Sequence, residues 1–161
     1  MIKLGMVRGY YLCEYEALYY SKLKKYGVEP IGIATKDNFR DLSNVAIPVR
    51  KLNRVGMYNR LPLINKGIQY FLRYDDYLLN FKKAISDCDI LHAPEPMYPF
   101  SYQSAISGKP SVFTCAETIP FNKQRHHAKF TKVIFQKAKH FTPLTELAKK
   151  GSLDPVVGRE E

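Results

Sequence analysis

Acidic residues are scarce in this chain: 15 Asp and Glu stand against 25 Lys and Arg, a formal charge of +10 at neutral pH. Such a surface attracts phosphates, whether in nucleic acid, lipid headgroups or phosphorylated sugars. Cysteine is sparse as well. Cys13, Cys88 and Cys115 are odd in number and far apart, which argues against a disulfide framework and suits reduced thiols in a cytoplasmic protein. There is no C-x-x-C, and the adjacent His126 and His127 would point about 100° apart on a helix, so no metal site is expected. No apolar run approaches the roughly 20 residues of a membrane-spanning helix. Arg8 interrupts the apolar start, so no signal peptide is expected. G-x-G-x-x-G is missing, which argues against NAD or FAD. RNP, helix-turn-helix and zinc-finger patterns are missing too, so nucleic acid is not the expected partner. Tryptophan is absent altogether, which leaves aromatic contacts to 12 tyrosines and nine phenylalanines.

What is present describes an ordinary globular domain. A chain of 161 residues, 45% of them hydrophobic, can bury a sizeable core without staples. Residues 1–150 read as one domain. The polar tail 151–161, with Pro155 and Gly158, reads as linker or disordered segment.

Periodicity alternates along the chain. Ile2 to Val7 predicts a strand, followed by a loop Arg8-Gly9-Tyr10-Tyr11. Leu12, Tyr15, Tyr19, Leu23 and Tyr26 recur at helical spacing, with Leu18 beside them, and Gly27 stands where a C-terminal cap belongs. Pro30 to Ala34 predicts a second strand, and strand–helix–strand in this span implies parallel pairing. Val45 to Val49, broken by Pro48, predicts an edge strand; residues 50–62 read as loop. Leu63 to Ser86 reads as helical with one break at Asp75-Asp76. Asp89 to Ala93 and Ser111 to Ala116 predict two more strands around a short helix Phe100 to Ser107. A helix over 126–139, a short strand at Phe141 to Pro143 and a last helical turn capped by Thr145 follow. The sum is an α/β fold: an open parallel sheet of about six strands with helices on both faces. Ligands in such sheets sit at the carboxyl ends of the strands, which directs attention to Arg8–Tyr11, Pro94–Pro96, Glu117–Pro120 and Pro143–Glu146.

Each of these loops allows more than one role. Gly9 either simply makes a turn or lets a ligand approach the backbone, with the helix start behind it favouring an anion. His92 is either a hydrogen-bonded core group or a catalyst, whereas Glu95, stiffened by two prolines, lies in a loop and is better placed than His92 to act. Glu117 is either a base for a hydroxyl nucleophile or a cap or ion-pair partner. Around the helix 125–139, Arg125, Lys129, Lys132 and Lys139 fall on one face and Phe130, Ile134, Ala138 and Phe141 on the other. That basic face either touches anionic lipid or nucleic acid or is simply solvated.

Three strings occur in a telling order: Asp89-Ile90-Leu91-His92-Ala93-Pro94-Glu95, then Lys109-Pro110-Ser111-Val112-Phe113-Thr114, then His140-Phe141-Thr142-Pro143-Leu144-Thr145-Glu146-Leu147-Ala148. Together with the opening strand, turn and helix, they make residues 1 to 150 resemble the N-terminal domain of GT-B glycosyltransferases, most like glycosyltransferase family four. The departures are Pro94 in place of a second histidine, and Cys115-Ala116-Glu117 where many members place one after the fifth strand.

The resemblance implies a Rossmann-like acceptor domain of a retaining enzyme. It implies a glycan or lipid-linked acceptor held by Arg8, Gly9, Tyr10, Tyr11, His92, Glu95, Thr118, Thr145 and Glu146, with Glu117 as the catalytic group. It implies no cofactor in this half. The nucleotide-sugar donor and a C-terminal donor-binding domain would complete the enzyme, and turnover would need both halves. The expected location is cytoplasmic, with the basic face against the inner membrane surface. A stand-alone nucleotide- or phosphate-binding module and a basic nucleic-acid binder are the alternatives.

Overall fold

The computed structural model describes residues 1–58, 76–115 and 128–143. They form one six-stranded sheet: β1 (Ile2–Gly9), β2 (Val28–Thr35), β3 (Val49–Leu52), β4 (Ile90–Pro94), β5 (Ser111–Cys115) and β6 (His140–Pro143). The spatial order is β3-β2-β1-β4-β5-β6, and all five pairings are parallel. This order winds outward in both directions from β1, the arrangement of Rossmann-like folds.

Among the described residues four α-helices cover the sheet: α1 (Glu14–Ser21), α2 (Phe81–Ala84), α3 (Pro99–Ala105) and α4 (Ala128–Lys137). Strand alternation divides the core between the two faces. Met6 and Ala34 point to α1, packing with Leu12, Ala17, Leu42 and Ile47. Val7, Ile31, Ile33, Leu91, Ala93 and Phe113 point the other way, onto Phe81 and Ile85, Phe100 of α3, and Phe130 and Ile134 of α4. Helices on both faces and an all-parallel sheet therefore hold as read from the sequence.

Several local expectations need correction. The first strand runs on to Gly9, so Arg8 and Gly9 belong to β1 and not to the loop. Its register with β2 slips between Val7 and Gly9, which takes Arg8 out of the ladder. The aromatic stripe correctly announces a helix but not its buried face. Tyr15, Leu18, Tyr19 and Tyr26 are exposed, and Leu12, Ala17 and Tyr20 carry the packing. The helix tightens to a 3-10 turn over Lys22–Tyr26 and stops at Gly27, whose φ of 76° fits the expected left-handed cap. The edge strand begins where Val45–Val49 was expected to end, because Pro48 has no N–H to give and the ladder starts behind it.

Leu78 and Leu79 are not helical. Leu78 forms an antiparallel bridge with Arg54, and the α2 helix starts only after Asn80, whose φ is 59°. The Asp75–Asp76 break lies partly, and 59–75 wholly, outside the described residues. Lys139 is not helical either; it follows α4, and its amide donates to the Ser111 carbonyl at 3.0 Å. Phe141 sits in β6 and not on the helix face, though it packs on the same core. The turn capped by Thr145 and the tail 151–161 lie outside the described residues.

Candidate functional site at the strand ends

Strand order reverses beside β1, so the carboxyl ends of β1 and β4 face a common crevice. Gly9 ends β1 with φ 54°, and a Cβ placed on it would lie 2.5 Å from the Phe100 ring. Both the backbone and the space therefore demand glycine here. The chain then turns through Tyr10 and Tyr11, with the Tyr11 amide donating to the Arg8 carbonyl at 3.0 Å.

Aromatic rings pave the crevice. Tyr10 meets Tyr11 edge-on at 5.4 Å between centroids, Tyr11 meets Tyr98 at 5.4 Å, and Tyr98 stacks on Phe100 at 4.9 Å. Phe39, from the loop after β2, closes the row 6.0 Å from Tyr10. Tyr11 remains 42% exposed, so its ring is open to a ligand. Burial raises the Tyr11 and Tyr98 phenols above the ordinary tyrosine value, helped by Asp76 at Tyr11 and by Tyr11 and Glu95 at Tyr98.

Arg54 anchors one end of the row. Its guanidinium lies 4.6 Å from the Tyr10 centroid, donates to Asp37 at 2.8–3.2 Å and reaches Asp76 at 3.3 Å. Burial would raise the Asp37 carboxyl, but the Arg54 hydrogen bonds prevail and hold it below the usual aspartate range. The guanidinium is thus matched by carboxylates on its own chain.

The other arginine is committed too. Out of the ladder, Arg8 turns to α1 and its Nε donates to Glu16 at 2.8 Å, with a second contact from Nη2 to the same carboxylate. Beneath this pair the Tyr20 hydroxyl meets Nδ1 of His92. Burial, reinforced by the Arg8 charge, lowers His92 to about 4, so its imidazole is neutral at physiological pH. Burial raises Tyr20 to about 12, against the opposing pull of Arg8.

Glu95 follows β4 with φ 35°, a left-handed conformation that glutamate rarely adopts. Its N–H donates to the Thr114 carbonyl at 2.8 Å, and Ser101 Oγ secures the preceding Pro94 carbonyl at 2.6 Å. Cys115 Sγ lies 4.0 Å from Glu95 Oε2, linking the ends of β4 and β5.

The structure therefore brings together five of the residues singled out from sequence: Arg8, Gly9, Tyr10 and Tyr11 from β1 and its turn, and Glu95 from the end of β4. His92 lies one layer below, against Tyr20. Glu117, Thr118, Thr145, Glu146 and Arg125 lie outside the described residues, as does the side chain of Lys129. Lys132 and Lys139 are exposed. Sequence reasoning missed Tyr98, Phe39, Arg54, Asp37, Asp76, Glu16 and Tyr20. Asp37 follows β2 and Arg54 follows β3, so the strand-end rule finds both once the third strand is placed at Val49–Leu52.

No family model matches this chain, and no curated protein matches its sequence. In three dimensions it is similar to a Listeria monocytogenes protein assigned provisionally as a UDP-N-acetylglucosamine 2-epimerase, with a TM-score of 0.54 and 16% identity. The likeness covers 95% of this chain but 42% of that one. At such identity it speaks for architecture alone, and the architecture is a Rossmann-like α/β domain.

Proposed function

We propose that this chain is the acceptor-binding half of a retaining glycosyltransferase. One observation carries the reading: a shelf of Tyr10, Tyr11 and Tyr98, flanked by Glu95 and by the Arg54 cluster, at the carboxyl ends of β1 and β4. Aromatic faces suit the C–H faces of a sugar ring, and fixed carboxylates suit its hydroxyls. Arg8 and Arg54 are each held by carboxylates of their own chain, which favours a hydroxyl-rich acceptor over a phosphate at this wall. The acceptor would be a glycan or the sugar of a lipid-linked glycan.

In the complete reaction the acceptor oxygen would bond to the anomeric carbon of a nucleotide-sugar on the face that the nucleotide leaves, which keeps the configuration. The carbon–oxygen bond to the nucleotide breaks, the nucleotide departs as its diphosphate anion and a base takes the acceptor proton. The donor would sit in a C-terminal half carried by the same or a separate chain. Glu117, two residues past the end of β5, is the base we assign, with Thr118, Thr145 and Glu146 as further acceptor contacts. This half would need no cofactor of its own.

Binding of the purified chain to a panel of oligosaccharides, to a UDP- or GDP-sugar and to inorganic phosphate tests the reading. Oligosaccharide binding, weakened about tenfold or more in Tyr11→Ala with the fold intact, is the expected result. Binding of the nucleotide or phosphate without any oligosaccharide would replace this reading with a nucleotide-binding module.

A further inference from the structure

The outer face of α1 and the turn behind it is aromatic and basic. Tyr15 is 79% exposed, Leu18 49%, Tyr19 69% and Tyr26 71%. Tyr15, Leu18 and Tyr19, at spacings of three and one, form a stripe on the outer side of α1, and Tyr26, seven residues on, extends it at an angle from the 3-10 turn. Scattered exposed apolar residues are ordinary, but a stripe of four is not. Lys22 lies 5.3 Å from the Tyr19 ring centroid and Lys25 4.7 Å from that of Tyr26, with Lys24 between them. Over residues 14–26 Glu14 is the one exposed acid, because Glu16 is drawn inward to Arg8.

We propose that this stripe docks on an anionic lipid bilayer. Interfacial binding takes two ingredients, apolar or aromatic side chains that enter the headgroup region and cations that stay at its surface. Tyrosine has an apolar ring for the first layer and a hydroxyl for the second. The three lysines meet the lipid charge, and the overall +10 of the chain adds a long-range attraction. The basic face of α4 is the weaker candidate. Lys132, Gln136 and Lys137 are exposed there, but no large apolar side chain is exposed among the described residues of that helix. The inner face of α1 holds Glu16 and Tyr20 at the candidate site, so docking leaves those contacts covered. The proposal stands apart from the glycosyltransferase reading and does not depend on it.

The absence of tryptophan supplies the test. Tyr19→Trp places a single indole on an exposed position of the stripe. Its emission is expected to shift to the blue on phosphatidylcholine vesicles containing about 30% phosphatidylglycerol, and to be quenched by brominated acyl chains. In flotation, affinity is expected to fall about tenfold in the Tyr15→Ser/Tyr19→Ser double variant and about a hundredfold in Lys22→Gln/Lys24→Gln/Lys25→Gln. Circular dichroism confirms that each variant is folded. An indole that stays in water beside bound vesicles overturns the proposal. So does binding untouched by the double variant, or a tyrosine-dependent dimer without any flotation, which would assign the stripe to a second copy of the chain.

Discussion

The Tyr20 phenol, carried by α1, meets Nδ1 of His92 in β4 and so ties the helix layer to the middle of the sheet. Burial and the nearby Arg8 charge both make a positive charge on His92 unfavourable.

Stability should therefore depend on this histidine in mild acid. Its folded value, about 4, lies below the 6.5 of an unfolded chain, so the unfolded state takes up the proton first. The contribution is present above pH 6.5 and is lost as the pH falls from 6.5 toward 4. The loss amounts to roughly 2–3 kcal/mol. Urea unfolding at neutral pH and near pH 4.5 measures it. His92→Phe should flatten the dependence over that window, and an unchanged slope would assign the effect to other groups.

Gly9→Ala should destabilise by about 3 kcal/mol. The added methyl would meet the Phe100 ring, and the backbone stays in a conformation alanine resists. In combination with Phe100→Leu the clash is relieved but the backbone cost persists, so the double variant should recover only part of the loss. Denaturant midpoints of the two variants distinguish the terms.

Gln103 is a buried clamp. Its Oε1 accepts from the Leu78 N–H at 2.7 Å and its Nε2 donates to the Leu78 carbonyl at 2.8 Å. Gln103→Leu leaves both backbone groups without this partner and should cost about 2–4 kcal/mol. Hydrogen exchange at the Leu78 amide should accelerate beyond what the global loss explains if the clamp acts locally.

Glu95 allows a comparison between two substitutions that both remove its carboxylate. Glu95→Gly suits φ 35° and Glu95→Ala does not, so the glycine variant should be the more stable by about 1 kcal/mol. On the proposed acceptor-binding reading, both should lose oligosaccharide binding. Equal stability of the two would mean that the backbone there relaxes once the side chain is gone.

Much of the architecture was legible because β1, β2, β4 and β5 are short, mainly apolar runs set off by Gly, Pro or a polar turn, as at Gly27 before β2 and Gly108-Lys109-Pro110 before β5. Parallel order followed from alternation with helices. The buried side of α1 was not legible, since Tyr15, Leu18 and Tyr19 have the spacing of a core stripe while the sheet is met by the smaller Ala17 and by Tyr20. Hydrophobicity alone does not tell an inward tyrosine from an outward one. The position of β3 turned on Pro48 and on which residues find ladder partners, a pairing decided across the sheet. The aromatic row joins residues as distant as Tyr10, Phe39 and Tyr98, and Arg54 gathers Asp37 and Asp76. Such groupings come from the strand order, which no local pattern encodes.

Tyr19 and Tyr20 are adjacent in the chain, yet on one short helix the first faces solvent and the second packs inward. Each residue advances an α-helix by about 100°, so one amino acid inserted between Glu14 and Glu16 would turn the rest of the helix by that angle. Tyr20 would swing away from the imidazole, Glu16 away from the guanidinium, and a solvent-facing ring would be driven beneath the sheet. The rotation of α1 against the sheet is thus held by Glu16, Ala17 and Tyr20, although the link that leads into the helix contains little regular structure.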